Sequence, residues 1–297
     1  MNDFREKVKG VSIVIPAYNE EAAIRSSIEA VIAAMDGSGF EYELIVVDDG
    51  STDRTREILR SMQGIKLIGI PENRGYGASL KTGITKSAFD LVAITDADGT
   101  YPAEKIPELI AECEGYDMVV GARVGENVHI PNNRKPAKWV LGKISNYLAG
   151  RHIPDLNSGL RVMRKRLVRR FEHLLPAGFS FTTTITLAAL CSSSLVKYVP
   201  IDYHARIGES KIRPTHALDF LILIIRTIVY FNPLKVFIPL GAAFFALGIT
   251  KFAYDLYIGN FSETALLGFI GAVLIWGVGL LSDQISRFAL RSEDHRD

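Results

Sequence analysis

Three short polar clusters carry the residue types needed to handle a phosphorylated substrate. They are Pro16-Ala17-Tyr18-Asn19-Glu20, Asp48-Asp49-Gly50-Ser51-Thr52-Asp53 and Asp96-Ala97-Asp98-Gly99. Asp96 and Asp98 are the most telling pair, because two carboxylates at i and i+2 around a turn can reach one hard cation. Mg2+ or Mn2+ takes a few carboxylates and completes its shell with substrate phosphates. A cation held in this way neutralises the charge that develops on a diphosphate leaving group. Taken singly, each cluster also reads as ordinary turn and helix-cap chemistry. Their common placement singles them out, since each follows a candidate strand. Other signals are weaker. Arg74-Gly75-Tyr76-Gly77 lacks the spacing of a dinucleotide-binding turn, and the chain has no GxxxxGK[ST] run. That glycine-rich stretch reads as the opening of a helix over the donor. The six histidines, His152 and His204 among them, show no paired metal spacing.

The elements that must position these clusters alternate in type. Short β-branched runs at Val11–Ile15, Leu44–Asp48, Ile65–Ile70, Leu91–Thr95 and Met118–Gly121 predict strands. Helical patterns near Glu20–Met35, Asp53–Met62, Gly77–Ser87 and Pro102–Cys113 lie between them. Strand, helix, strand at this spacing predicts an α/β fold with a mostly parallel sheet. Such sheets bind ligands beyond the carboxyl ends of their strands. Val196–Pro200 reads as a last strand.

Val14-Ile15-Pro16-Ala17-Tyr18-Asn19-Glu20, Val47-Asp48-Asp49-Gly50-Ser51 and Asp96-Ala97-Asp98 resemble the inverting family 2 glycosyltransferases, a family with a GT-A fold and a DxD metal motif. Asp155-Leu156-Asn157-Ser158-Gly159-Leu160-Arg161 and Arg206-Ile207-Gly208-Glu209-Ser210-Lys211 resemble the polyprenyl-phosphate sugar synthases, of the dolichol-phosphate mannose or glucose type. The resemblance implies transfer of a hexose-type sugar from a UDP- or GDP-sugar to a polyprenyl (dolichyl or undecaprenyl) phosphate, with inversion. It assigns Pro16, Tyr18 and Glu20 to the loop around base and ribose, and Asp49, with Asp48 near it, to base reading. Asp96 would face the ribose and diphosphate, and Asp98 would ligate Mg2+ or Mn2+. Where some relatives carry Gln two residues further on, this chain has Thr100, a weaker ligand. Arg123 resembles a phosphate-facing arginine. Lys138 and Lys143 occupy a helix where relatives carry basic residues, though a lysine lacks the bidentate fork. Ser158 and Arg161 fall on the acceptor side, with Asp155 the carboxylate beside them. Arg206, Ser210 and Lys211 would meet the lipid phosphate.

A phosphate monoester is already ionised near neutral pH, so attack on the anomeric carbon needs no deprotonation. Positioning and charge neutralisation should therefore dominate. Asp155 is a candidate base if the acceptor is instead a hydroxyl. A processive polysaccharide synthase would need a longer membrane region and a Gln-x-x-Arg-Trp run, which the chain lacks. Another membrane acceptor, a lipid hydroxyl or glycan, stays open. So does an inactive membrane adaptor that binds nucleotide sugars, although the intact Asp96 and Asp98 argue against it.

Composition places this chemistry at a membrane. The formal charge of the 297 residues is +1, which gives no global field for nucleic acid. Between Arg123 and Arg170, twelve Lys or Arg stand against Glu126 and Asp155, a basic block suited to anionic phosphates or lipids. Two cysteines are too few for a disulfide framework and fit a reducing cytosol. Met1–Gly10 has no apolar core of a signal peptide, so the amino-terminal part is expected to stay cytoplasmic. The expected layout is a GT-A catalytic domain over 1–213, an interfacial amphipathic helix over 214–232, a transmembrane hairpin over 233–291 and a cytoplasmic tail over 292–297. Its spans fall near 234–257 and 264–286. Lys235 precedes the first span, while Arg287 and Arg291 follow the second, so both ends are expected in the cytoplasm. The expected partners are a nucleotide sugar, a polyprenyl phosphate and the membrane, with a homo-oligomer left open.

Overall fold

The computed structural model describes residues 10–128, 142–147, 150–178, 180–192, 194–204, 216–259 and 262–293. Seven strands form one sheet: β1 (Val11–Ala17), β2 (Tyr42–Asp49), β3 (Lys66–Ile70), β4 (Leu91–Ile94), β5 (Met118–Val128), β6 (Arg161–Arg164) and β7 (Val196–Tyr203). Their order is β3-β2-β1-β4-β6-β5-β7. All neighbours are parallel except β6, which runs antiparallel between β4 and β5. Every residue of β1 and β4 is buried, as expected of strands covered on both faces.

Helices supply that cover. On one face lies α1 (Ile24–Asp36), which buries Ile24, Ile28, Val31 and Met35 at helical spacing. With it lies α4 (Ile106–Ala111), preceded by a short 3₁₀ turn; both pack against Val11, Ile13 and Ile15. On the other face α3 (Tyr76–Thr85), α5 (Lys165–Arg170) and α6 (Phe181–Cys191) enclose Val14, Ile45 and Ile94. Between β2 and β3, α2 (Thr55–Ser61) packs against α1. Gly83 of α3 lies so close to β1 that a Cβ would come within 2.4 Å of Val14 Cγ1. The predicted strands and helices are all found, although β5 runs on to Val128, well past the expected Gly121. Three elements beyond them, β6, α5 and α6, complete the sheet and its second face.

The carboxyl-terminal part is helical. In α7 (His216–Phe231), Ile224 and Ile228 are buried against Ile153, Leu187 and Leu190 of the catalytic unit, while Ile222, Ile225 and Arg226 face outward. It is followed by α8 (Leu234–Ile258) and α9 (Glu263–Glu293), packed against each other as a hairpin. Both are long and apolar enough to cross a membrane, and Leu247, Leu267, Val273, Leu274 and Leu281 lie exposed along them. At 25 residues α8 is about 37 Å long, enough for a hydrocarbon core. Close packing comes from glycines: a Cβ on Gly268 would come within 2.8 Å of Gly248 Cα, and one on Gly279 within 2.6 Å of Phe237 Cβ. The second helix continues past the expected end near 286, and an Asp283–Arg287 ion pair at 2.7 Å supports the turn that leaves the apolar stretch.

Candidate active site

The three polar clusters leave the carboxyl ends of β1, β2 and β4, which are neighbours in the sheet and parallel, so they share one rim. The first two are laced together. Asn19, held at φ 52°, donates its N–H to Ser51 Oγ at 3.0 Å and accepts the Thr52 N–H at 2.8 Å through its side chain. Glu20 donates its N–H to Thr55 Oγ1 at 2.8 Å. Gly50 allows the second loop to turn: its φ is +72°, and a Cβ would fall within 2.7 Å of the Glu72 backbone. Pro16 is buried inside β1, paired with Val47, while Tyr18 and Glu20 are half-buried on the rim.

The adjacent acids of the second cluster have separate tasks. Asp48 is fully buried, ion-paired with Arg56, and accepts the Ser51 N–H at 3.1 Å. Asp48, expected near the donor base, here braces the loop from beneath. Asp49 accepts the N–H groups of Arg74 and Gly75 at 2.9 and 2.8 Å, so it anchors the start of α3.

In the third cluster, Asp96 is half-buried and accepts the Tyr76 hydroxyl at 2.8 Å. Gly159 backs it, since a Cβ there would come within 2.7 Å of Asp96 Oδ2. Asp98 is 5% exposed, and its Oδ1 accepts both the N–H and the hydroxyl of the fully buried Thr100, at 3.1 and 2.6 Å. Tyr101 closes the floor: its hydroxyl accepts the Gly159 N–H at 2.6 Å and its ring meets Tyr203 edge-on at 5.3 Å. Burial, first of all, raises the Tyr101 pKa far above that of an ordinary tyrosine, so the phenol stays neutral.

Arg123 and Asp155 form a forked pair. Arg123 donates Nε to Asp155 Oδ2 at 2.7 Å, an Nη2 hydrogen to Asp155 Oδ1 at 2.9 Å and another to Asn157 Oδ1 at 2.8 Å. Its backbone N–H adds a bond to Asp155 at 3.0 Å, and the guanidinium lies 5.1 Å over the Tyr203 ring. Asp155, 2% exposed, is thus engaged by arginine.

Arg161, expected on the acceptor side, is turned into the protein interior. It is fully buried, and its guanidinium bonds the carbonyls of Ser158 and Thr182 and, at 2.8 Å, the Thr186 hydroxyl. It fixes the Ser158–Gly159 turn to α6 from below. Ser158 is likewise fully buried, and among the described residues its hydroxyl has no hydrogen-bond partner. Lys143 is exposed on a helical stretch over 142–147. Lys138, Arg206, Ser210 and Lys211 lie outside the described residues.

Sequence reading did not single out Tyr76 or Tyr101, and it carried Gly159 only within the Asp155–Arg161 segment. Only Tyr76 left a signal, an aromatic hydroxyl inside the glycine-rich opening of a helix.

Comparison with known proteins places this rim. Residues 12–171 match the family described as Glycosyl transferase family 2. The chain belongs to that family. It is therefore a glycosyltransferase. Residues 232–288 match the GtrB C-terminal hairpin, the segment that forms α8 and α9. The transferase is 30% identical over 304 residues to an undecaprenyl-phosphate 4-deoxy-4-formamido-L-arabinose transferase of Aeromonas hydrophila, covering 94% of this chain and 89% of the relative. An enzyme of the same name from Edwardsiella ictaluri is 31% identical over 307 residues, covering 97% and 91%. The transferase also shares its fold with solved structures of glucosyl-3-phosphoglycerate synthase from Mycobacterium tuberculosis. The complex with Mn2+, UDP-glucose and phosphoglyceric acid superposes with a TM-score of 0.60 at 21% identity, covering 76% of this chain and 81% of that one. The complex with Mg2+ and UDP gives 0.58 at 19% identity, with the same coverage. The expected GT-A architecture and the likeness to polyprenyl-phosphate sugar transferases are both borne out.

Proposed function

We propose that this transferase moves a sugar from a UDP- or GDP-sugar to a polyprenyl phosphate, with inversion, at the cytoplasmic face of a membrane. The observation that carries this reading is the near full-length match to two undecaprenyl-phosphate transferases, which spans both the acidic rim and the apolar hairpin. UDP in the fold neighbours makes UDP-sugars the first donors to try. The relatives' arabinose-type sugar places aminopentoses beside hexoses in that screen.

The donor would lie over the rim, with Tyr18, Glu20 and Asp49 toward its base and ribose and Asp96 and Asp98 toward its diphosphate. The described residues fit a hard divalent cation only with the substrate's help. They offer Asp96 and Asp98, and among them no group of three or more His, Cys, Asp or Glu side chains is placed to hold a metal ion. Oxygen donors in that number suit Mg2+ or Mn2+ completed by phosphate oxygens and water. When bound, the cation would neutralise the leaving diphosphate. Asp98 is pre-oriented for that duty by Thr100, and Asp96 by Tyr76. The acceptor phosphate supplies its own anionic oxygen, so Asp155 is free to organise Arg123, whose cationic face we assign to phosphate.

Lys138, Lys143, Arg206, Ser210 and Lys211 are proposed to receive the lipid phosphate, the last three from the segment that precedes α7 in the chain. The apolar helices α8 and α9 would anchor the enzyme, and α7 would lie in the interface through Ile222 and Ile225.

The test is a screen of UDP- and GDP-sugars against polyprenyl phosphate and the matching polyprenol, with products read by mass spectrometry. A lipid monophosphate sugar from the phosphate alone is expected. Equal transfer to the polyprenol would overturn the acceptor assignment. Asp98→Ala should abolish transfer in a folded, membrane-bound protein, and full activity in EDTA would overturn the metal assignment.

A further inference from the structure

Tyr76 opens α3, and its hydroxyl reaches across to Asp96 Oδ1 at 2.8 Å. The backbone just before it is held from another strand, because Asp49 accepts the N–H groups of Arg74 and Gly75. This approach has little room to move. Gly75 has φ +99°, a Cβ on it would come within 2.6 Å of the Ala177 carbonyl oxygen, and Ala78 donates its N–H to that same oxygen at 3.0 Å. A continuous path therefore runs from the carboxylate that ends β2, through two backbone amides and one phenol, to the first carboxylate after β4. Gly159 bounds the same group: a Cβ there would lie within 2.9 Å of either Asp96 oxygen.

From this we infer that Tyr76 is a positioning residue of the transferase, setting Asp96 toward the donor diphosphate and its cation and coupling it to the loop that Asp49 holds. The inference rests on the reading of Asp96 given under Proposed function. Hydrogen bonds to a ligating carboxylate fix its rotamer and favour its anionic form. The Tyr76 ring packs at the edge of the core beneath α3, so Tyr76→Phe removes the hydroxyl and leaves the packing.

The experiment uses the full-length enzyme in detergent. Mn2+ is titrated calorimetrically in the presence of whichever of UDP and GDP the wild type binds. The same nucleotide is titrated in EDTA, and thermal unfolding is recorded. In Tyr76→Phe, cation affinity with nucleotide present should fall about tenfold to hundredfold. Nucleotide affinity in EDTA and the melting temperature should stay at wild-type values, and kcat at saturating lipid should drop. Gly159→Ala presses on the same carboxylate and should reproduce the cation loss; it decides the matter if Tyr76→Phe does not fold. Wild-type cation affinity in the folded variants would overturn the inference, as would an equal loss of nucleotide affinity in EDTA. A wild type that transfers equally well in EDTA would instead sink the metal reading, and this inference with it.

Discussion

Thr100 gives both its hydroxyl and its backbone N–H to a single oxygen of Asp98, at 2.6 and 3.1 Å. The hydroxyl thus serves Asp98 as a donor, where a glutamine at this position could offer a carbonyl oxygen to the metal. Its own carbonyl accepts the His204 N–H at 2.9 Å, which ties the turn to the end of β7. Thr100→Val keeps the shape and the backbone bond but removes the hydroxyl. Losing a hydrogen bond to a charged group costs about 1.5–3 kcal/mol, so cation dependence of transfer should shift by roughly tenfold to hundredfold. Thr100→Ser should stay near wild type. Cation titrations of activity check this, and an unshifted Thr100→Val would show the hydroxyl to be idle.

The Arg123–Asp155 fork predicts non-additive losses. Asp155→Asn weakens the clamp, and Arg123→Gln removes its cation; each should lower transfer and stability. The double variant should be little worse than either single one, with an interaction energy of about 1–3 kcal/mol between the two sites. Were Asp155 a base acting alone, Asp155→Asn would remove one limb of the pH–rate profile while Arg123→Gln left that limb intact. Rates from pH 5 to 9 for the four proteins distinguish the cases.

Legibility in the sequence followed physical simplicity. Strands β1, β2 and β4 were readable because burial on both faces demands unbroken β-branched runs, and the acids stood directly after them. Strand β6 was not, since its four residues include Arg161, a type seldom found inside. Helix α6 was hidden by Thr182, Thr183 and Thr184, a run that reads as strand. Ten of its eleven residues are buried, and the Thr184 and Thr186 hydroxyls bond back to carbonyls one turn earlier. Within the site, acid type and strand-end position were visible, but the division of labour was not. Asp48 and Asp49 are the same letter twice. Only the fold sends one toward Arg56 and the other toward Arg74 and Gly75.

Arg161 offers a clean separation of architecture from recognition. Replacing it with Met would leave the Ser158 and Thr182 carbonyls without their donor in a buried setting. The cost should be about 3 kcal/mol or more, a fall in melting temperature of roughly 6–12 °C. Arg161→Lys should recover little, because one ammonium cannot span both carbonyls and the Thr186 hydroxyl. A direct acceptor contact would give the opposite pattern, with stability unchanged and KM for the lipid raised. Differential scanning fluorimetry beside lipid-dependent kinetics is the comparison needed.

Ending the chain after Phe231 tests how far catalysis and anchoring are separable. The break leaves α7 seated, since Ile224 and Ile228 remain buried against Ile153, Leu187 and Leu190, and the Phe231 ring meets Phe171 edge-on at 5.6 Å. Tyr230 also keeps its bond to His173 at 3.1 Å. What is lost are α8 and α9, including the Ser286 hydroxyl bonded to the Tyr230 carbonyl. The fragment should therefore fold and bind nucleotide with cation as the full chain does, because every donor-side residue named above precedes the break. Transfer to polyprenyl phosphate in vesicles should fall steeply, as two apolar helices no longer hold the rim at the surface. Residual vesicle binding is expected through Ile222 and Ile225, which face away from the catalytic unit. Changing both to Asp in the fragment should abolish it without altering nucleotide affinity. Calorimetry, circular dichroism and flotation on the two fragments provide the readouts. A well-folded fragment that binds neither UDP nor GDP, while the full chain binds one of them, would make the hairpin part of the donor site.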